Sequence, residues 1–170
     1  MLAARTRLFS TLFASVLGLS FAAPASAASK VDAKAAAYNT APKLTNFGNS
    51  DTSQIAEGLF LRRINSDVIF VGVSDNDPFH GVTGSCYGTA LVRDSKLSGE
   101  GYCSLNDSDG QSFAIKFAMK DITSKKLLGS WRIIGGQGKW AGANGSGDWT
   151  QTIVGANNMS IAHLTGNIDF

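Results

Sequence analysis

Acidic side chains and a histidine stand close together in one stretch of the sequence, residues 75–80. Asp77 and His80 are residue types that bind metal ions or transfer protons. The stretch lacks the third ligand of a metal site, and a proline in a run of Asp and Asn is typical of a loop. We therefore predict a loop and no metal site.

Residues 106–110 do not match a calcium loop and are predicted to form a turn. His163 is interpreted as a hydrogen-bonded strand residue.

The two cysteines, Cys86 and Cys103, offer a second kind of chemistry. Redox-active pairs usually have the spacing C-x-x-C, which is absent here. In a small exported domain an isolated pair typically forms a structural disulfide. A two-residue turn at 94–95 would place Cys86 opposite Cys103 and Tyr87 opposite Tyr102 in a β-hairpin, whereas a longer loop would shift this register. The sequence predicts a structural disulfide between the two cysteines.

Four aromatic residues form the candidate ligand-binding set. Tyr87 and Tyr102 would present two hydroxyl groups to a pocket if their face of the hairpin points inward. The opposite face carries the cysteines together with glycine and alanine, and the sequence leaves open which face lies inside. Trp131 and Trp149 complete the set, and no catalytic residue is assigned.

The three tryptophans share a Gly-x-Trp pattern that recurs every nine residues, at 129–131, 138–140 and 147–149. A calcium-binding nonapeptide repeat would need Asp in place of Trp140, and a phosphate-binding loop would need Ser or Thr there. A dinucleotide fingerprint would be followed by a helix rather than by more glycines. We predict a glycine-rich connection between strands, with tryptophans that cover one end of the fold.

Alternating hydrophobicity predicts the elements that position these residues. The clearest strand is 112–120, in which Phe113, Ile115, Phe117 and Met119 alternate with polar or small residues. The other predicted strands are 55–63, 68–74, 83–93, 98–105, 127–134, 148–154 and 160–170. Short loops force neighbouring strands to be antiparallel, and about eight strands suffice for a barrel. The predicted fold is all-β, a single antiparallel barrel, with a β-sandwich as the alternative.

The first residues have the composition of an export signal. Residues 1–27 contain two arginines, an apolar run and the small-residue cleavage site Ala25-Ser26-Ala27. We predict a signal peptide at 1–27, a flexible or loosely docked segment at 28–55 and a barrel domain at 56–170, located in the periplasm or secreted. Without the arginines of the signal, basic residues equal the 13 acidic residues in number. A neutral chain without a basic stripe argues against nucleic acid as a partner.

The glycine-rich segment also carries a family resemblance. Residues 131–149, with the core Gly-Gly-x-Gly-Lys-aromatic-Ala-Gly, resemble the glycine-rich hairpin of the allene oxide cyclase and dirigent barrel superfamily. Exported bacterial members are similar in residues 84–101 as well, and the resemblance spans residues 81–149. It implies an eight-stranded antiparallel barrel with an apolar interior. In plants such barrels guide cyclisation or radical coupling without a cofactor, but their catalytic residues have no match here.

These observations support several functions. We expect an exported soluble barrel that binds a small, largely apolar ligand without a cofactor, because apolar cavities bind such molecules. The alternatives are a cofactor-free cyclase or isomerase, and a structural or surface-interaction protein with a solid interior and an exposed aromatic patch around Trp140. A small outer-membrane barrel is a further alternative. Arg62, Arg63 and Asp67 argue against a membrane location, and the oligomeric state stays open.

Overall fold

The computed structural model describes residues 38–40, 43–123, 126–154 and 159–170. Its strands are β1 (Tyr38–Thr40), β2 (Lys43–Ala56), β3 (Leu59–Val71), β4 (Thr83–Arg93), β5 (Lys96–Asn106), β6 (Ser112–Ile122), β7 (Lys126–Gly136), β8 (Asn144–Ile153) and β9 (Ser160–Asp169). A short 3-10 helix, Gly138–Trp140, joins β7 to β8. The predicted signal peptide, residues 1–27, lies outside the described residues. Within these ranges no helix has the length and hydropathy to cross a bilayer.

The strands form one antiparallel sheet. Each strand from β2 to β8 pairs with the next strand in the chain. On its other side β9 pairs with four residues of β2, Lys43 to Asn46, and with β1. Every long strand therefore has two neighbours, as in a barrel. The predicted antiparallel barrel of about eight strands is confirmed, and a sandwich of two sheets is not what forms.

The course of β3 differs from the prediction. The sequence predicts two strands, 55–63 and 68–74, joined by a turn at 65–67, but β3 runs unbroken through that turn. Its alternate residues face the barrel interior, and Asn65 and Asp67 lie on the exposed face between them. Polar residues on the outer face of a long strand therefore resemble a loop when the strand's period of two is not followed far enough.

The barrel also begins earlier in the chain than predicted. The segment 28–55 was expected to be flexible or loosely docked, yet residues 43–55 belong to β2 and pair with β3. Residues 38–40 form β1, which pairs with β9 along the same edge of that strand as β2 does. Residues 51–57 are exposed, so this part of β2 lacks the apolar alternation by which a strand is recognised in a sequence.

The hairpin between β4 and β5 has the predicted register. Asp94 and Ser95 form its two-residue turn with φ values of 49° and 65°, as in a type I′ turn. Cys86 therefore lies opposite Cys103, and the two form a disulfide. The predicted disulfide is confirmed, and such a bond is typical of an oxidising compartment.

Aromatic side chains fill one end of the barrel. Phe79, from the loop after β3, and Trp140, from the 3-10 helix, are both 0% exposed. Phe79 stacks on Phe70 with ring centroids 4.7 Å apart, and Trp140 stacks on Phe113 at 3.7 Å. We call these four residues the plug. Trp140 thus covers one end of the fold as the glycine-rich segment predicts, whereas Trp131 is part of the wall.

Candidate functional site

The barrel contains a cavity of about 180 Å³ above the plug. Its lining runs from Phe70, in the plug, to Val92 and Leu127 near the turns at the opposite end. Strands β3 to β9 contribute to the wall, since alternate residues of each point inward. The apolar lining residues include Phe70, Leu105, Ile115, Phe117, Met119, Trp131, Trp149 and Leu164. The cavity therefore offers a mostly apolar surface to a small molecule.

Trp131 and Trp149 lie in this lining, as two of the four predicted ligand-binding residues. The indole N–H of Trp131 donates to the carbonyl oxygen of Thr165 at 3.2 Å, and that of Trp149 to the carbonyl of Ser130 at 3.1 Å. Both polar groups are used within the barrel wall. These tryptophans therefore contribute apolar ring surface to the cavity.

Tyr87 and Tyr102, the other two predicted residues, lie outside the cavity. They are 54% and 48% exposed, on the outer face of the β4–β5 hairpin. Their neighbours Cys86 and Cys103 point inward and line the cavity instead. Because side chains alternate across a strand, the inward disulfide turns both tyrosines to solvent. The face that the sequence leaves open is thus the outer one for both tyrosines, so their hydroxyl groups do not enter the interior pocket.

Three polar side chains, those of Arg62, Ser66 and Gln151, line the cavity. Gln151 donates from Nε2 to the hydroxyl of Ser160 at 2.6 Å, so its amide is held in the wall. Arg62 donates from Nη2 to the hydroxyl of Ser50 at 2.6 Å, and its Nε is buried without a hydrogen-bond partner among the described residues. Arg62 thus brings a positive charge to an otherwise neutral lining.

Side chains that usually transfer protons are absent from the described lining of the cavity. None of its described lining residues is Asp, Glu, His, Lys or Tyr, and general acid–base catalysis relies on such groups. The disulfide sulfurs are not free nucleophiles, because Cys86 and Cys103 are bonded to each other. The described lining therefore presents an apolar surface with one cationic side chain, that of Arg62.

The loop at 75–80 positions the plug. The carboxylate of Asp77 accepts a hydrogen bond of 2.8 Å from the backbone N–H of Phe79, which is the turn geometry expected of Asp in a loop. His80 is exposed and its Nδ1 lies 3.7 Å from Asp75. His163 is exposed on β9. The described residues contain no group of three or more His, Cys, Asp or Glu placed to hold a metal ion.

A buried carboxylate, which the sequence did not single out, holds the plug in place. The side chain of Asp107, in the loop after β5, is 1% exposed and lies 2.9 Å from Lys139 Nζ. It also accepts hydrogen bonds from the Trp140 indole and from the backbone N–H of Gln111. Burial raises the pKa of Asp107, but the hydrogen bonds from Lys139, Trp140 and Gln111 outweigh burial and lower the pKa to about 2. We call this set the Asp107 clasp.

Comparison with known proteins shows that the fold of this chain is similar to that of a solved structure. No protein-family model matches the chain, and no curated protein does. Among solved structures, the chain is similar to the structure of the pterocarpan synthase dirigent protein GePTS1, with 11% sequence identity and a TM-score of 0.48. The similarity covers 80% of this chain and 92% of that one. At this identity it concerns the fold alone, and the superfamily suggested by the sequence stays a prediction.

Proposed function

We propose that this protein is an exported β-barrel that binds a small, largely apolar molecule in its interior. The observation that carries the proposal is the cavity of about 180 Å³ with its mainly aliphatic and aromatic lining. For comparison, an apolar protein cavity of roughly 150 Å³ is enough to bind benzene. The expected ligand is therefore about the size of one substituted ring or a short hydrocarbon chain.

Two observations favour binding over the alternatives. A cyclase or isomerase would benefit from an acid or base beside its substrate, and the described lining holds none of the usual ones. A structural or surface-interaction protein was expected to have a solid interior and an exposed Trp140. Instead the interior holds a cavity, and Trp140 is 0% exposed.

The outer surface supports an exported protein that faces water. Cross-strand ion pairs lie on the outer face, including Lys116 with Glu100 at 2.6 Å and Lys120 with Asp148 at 2.9 Å. A membrane-spanning barrel has the opposite arrangement, with an apolar band outside. The disulfide is typical of oxidising compartments. We therefore propose the periplasm or the extracellular space as the location. On the resemblance of residues 131–149, we also propose a distant relationship to the allene oxide cyclase and dirigent superfamily.

Titration with a neutral aromatic hydrocarbon tests the binding function. We expect 1-ethyl-4-methylbenzene to bind the purified protein, as measured by isothermal titration calorimetry. Ala90, which is 2% exposed and lines the cavity, is the site for a blocking variant. In Ala90→Leu the larger side chain occupies cavity space, so the affinity should fall by about tenfold or more.

The matched control adds the same atoms outside the cavity. Ala114 lies on β6 between the buried Phe113 and Ile115, so its side chain faces outward. Ala114→Leu should therefore bind the hydrocarbon as the wild type does. Binding that is equal in both leucine variants, or no binding to the wild-type protein, would show that the cavity is not a binding site.

A further inference from the structure

We infer that the molecule bound in the cavity carries one carboxylate group, which pairs with the guanidinium group of Arg62. The inference rests on the proposed function and names the chemical class of its ligand. An aromatic or short aliphatic monocarboxylate combines the two features the cavity offers, an apolar wall and one positive charge.

The register of β3 brings Arg62 to the inner face of the barrel. Arg62 lies between Thr52 of β2 and Ala90 of β4 and lines the cavity. Among the described lining residues it alone carries a charge. Its neighbour Arg63 points the other way, is 77% exposed and forms an ion pair of 2.9 Å with Asp51. Two consecutive arginines thus have opposite surroundings, one compensated on the surface and one directed inward.

The hydrogen-bonding groups of Arg62 are poorly used by the protein. A guanidinium group has five N–H donors. Among the described side chains, Arg62 donates to one, the hydroxyl of Ser50, from Nη2. The Nε is buried and has no hydrogen-bond partner within the part of the chain that the structure describes. No described carboxylate forms an ion pair with Arg62. The described residues therefore leave the charge of Arg62 without a counter-ion and its Nε without a hydrogen-bond partner.

A carboxylate ligand would correct this imbalance. Arg62 is half-buried, and a partly buried charge without a counter-ion is less favourable than the same charge in water. A carboxylate accepts two parallel hydrogen bonds from a guanidinium group, in a geometry that few other small groups match. The remaining polar lining, Ser66 and Gln151, is neutral. A single negative charge on an otherwise apolar molecule is therefore the best complement to this lining.

Three compounds of similar shape test the inference in the full-length protein. They are 4-ethylbenzoate, its neutral analogue 4-ethylbenzamide and the hydrocarbon 1-ethyl-4-methylbenzene, each titrated by calorimetry at neutral pH. We expect the benzoate to bind about tenfold or more tightly than the benzamide, because its charged carboxylate forms a stronger hydrogen bond with Arg62 than a neutral amide does. Arg62→Met should abolish this preference and leave the affinity for the hydrocarbon within about twofold.

Arg63→Met is the matched control, because it removes the same charge from the outer face of the same strand. It should keep the preference for the benzoate, and Arg62→Lys should keep part of it because the charge remains.

If Arg62→Met does not fold, the comparison of benzoate with benzamide on the wild-type protein decides. Equal affinities for these two compounds, with the hydrocarbon bound, overturn the role of Arg62 alone. Failure of all three compounds to bind overturns the proposed function as well.

Discussion

Glycine at position 101 is what allows a large ring to lie against the inner wall. A Cβ atom added there would come within 2.2 Å of the carbonyl oxygen of Tyr87 and 2.3 Å of the Phe117 ring. The ring covers the bare backbone of β5 in return. The same ring would lie 2.8 Å from a Cβ atom added at Gly88, so Phe117 requires glycine at both positions of the hairpin.

Gly101→Ala should therefore destabilise the protein. Because both the backbone of β4 and the ring of Phe117 must shift, we expect the free energy of unfolding to fall by about 2 kcal/mol or more. Urea denaturation followed by circular dichroism measures the change. A Cβ atom added at Gly142 meets nothing within 4 Å, so Gly142→Ala should change stability by less than about 0.5 kcal/mol. Similar effects in the two variants would contradict the packing argument.

Single residues were predictable where one local rule decided them. The pairing of Cys86 with Cys103 follows from a two-residue turn, and it is present. Which side of that hairpin lies inside depends on Phe117 and on other strands, so the position of Tyr87 was not predictable from the hairpin. Arg62 was missed because β3 was divided into two predicted strands, and its inward position appears only when the alternation is followed through the whole strand.

At the scale of elements, the Asp107 clasp connects two loops at the plugged end. Asp107 follows β5, whereas Lys139 and Trp140 belong to the 3-10 helix between β7 and β8. The hydrogen bonds that hold this carboxylate also lower its pKa, from 3.8 to about 2. A folded-state pKa below the unfolded value means that ionisation of Asp107 stabilises the fold.

We expect the contribution of the clasp to disappear in acid. It should be fully present above pH 4 and lost as the pH falls through the folded-state pKa of about 2. Asp107→Asn should be less stable than the wild type by about 1–2 kcal/mol at pH 6, and the difference should narrow toward pH 2. Urea midpoints measured across this pH range provide the test.

Asp109→Asn is the control for this experiment. Asp109 is 67% exposed and lies 3.5 Å from the same Lys139 Nζ, so its removal should have little effect at any pH. A constant difference between Asp107→Asn and the wild type from pH 6 to pH 2 would contradict the role assigned to the carboxylate charge.

Strands with one apolar face were predictable as elements, and strands without one were not. The predicted 83–93 coincides with β4, and Phe113 and Ile115 of β6 are buried as their alternation indicates. The exposed part of β2 carries no such pattern, so its sequence indicates a flexible segment. The clasp was also missed, because the sequence shows a turn at residues 106–110 but not the distant loop that binds Asp107.

At the scale of the whole molecule, the disulfide links β4 to β5 and restricts the unfolded chain. The two cysteines are 17 residues apart in sequence. On the chain-entropy account, the loss of such a link lowers the free energy of unfolding by about 3 kcal/mol. The double variant Cys86→Ala/Cys103→Ala should show this loss in urea denaturation while it retains the fold.

Reduction separates the effect of the bond from that of the side chains. Dithiothreitol should lower the stability of the wild-type protein to about the level of the double variant and leave the double variant unchanged. If reduction does not alter the denaturation midpoint of the wild type, the bond is not a source of stability.

The barrel as a whole was predictable because short loops and alternating strands leave few other arrangements. The size of the cavity was not predictable, since its volume depends on how far Phe79 and Trp140 extend into the barrel from loops. The plug, the glycine-lined wall and the inward Arg62 come from strands and loops far apart in the chain, and the sequence gives no measure of the space between them.

The three indoles lie in two kinds of surroundings, and this has a practical use. Trp131 and Trp149 border the cavity, while Trp140 is enclosed in the plug by Phe113 and Asp107. A compound that enters the cavity meets two of the three fluorophores directly. The protein therefore contains its own optical reporter of occupancy, which needs no attached dye.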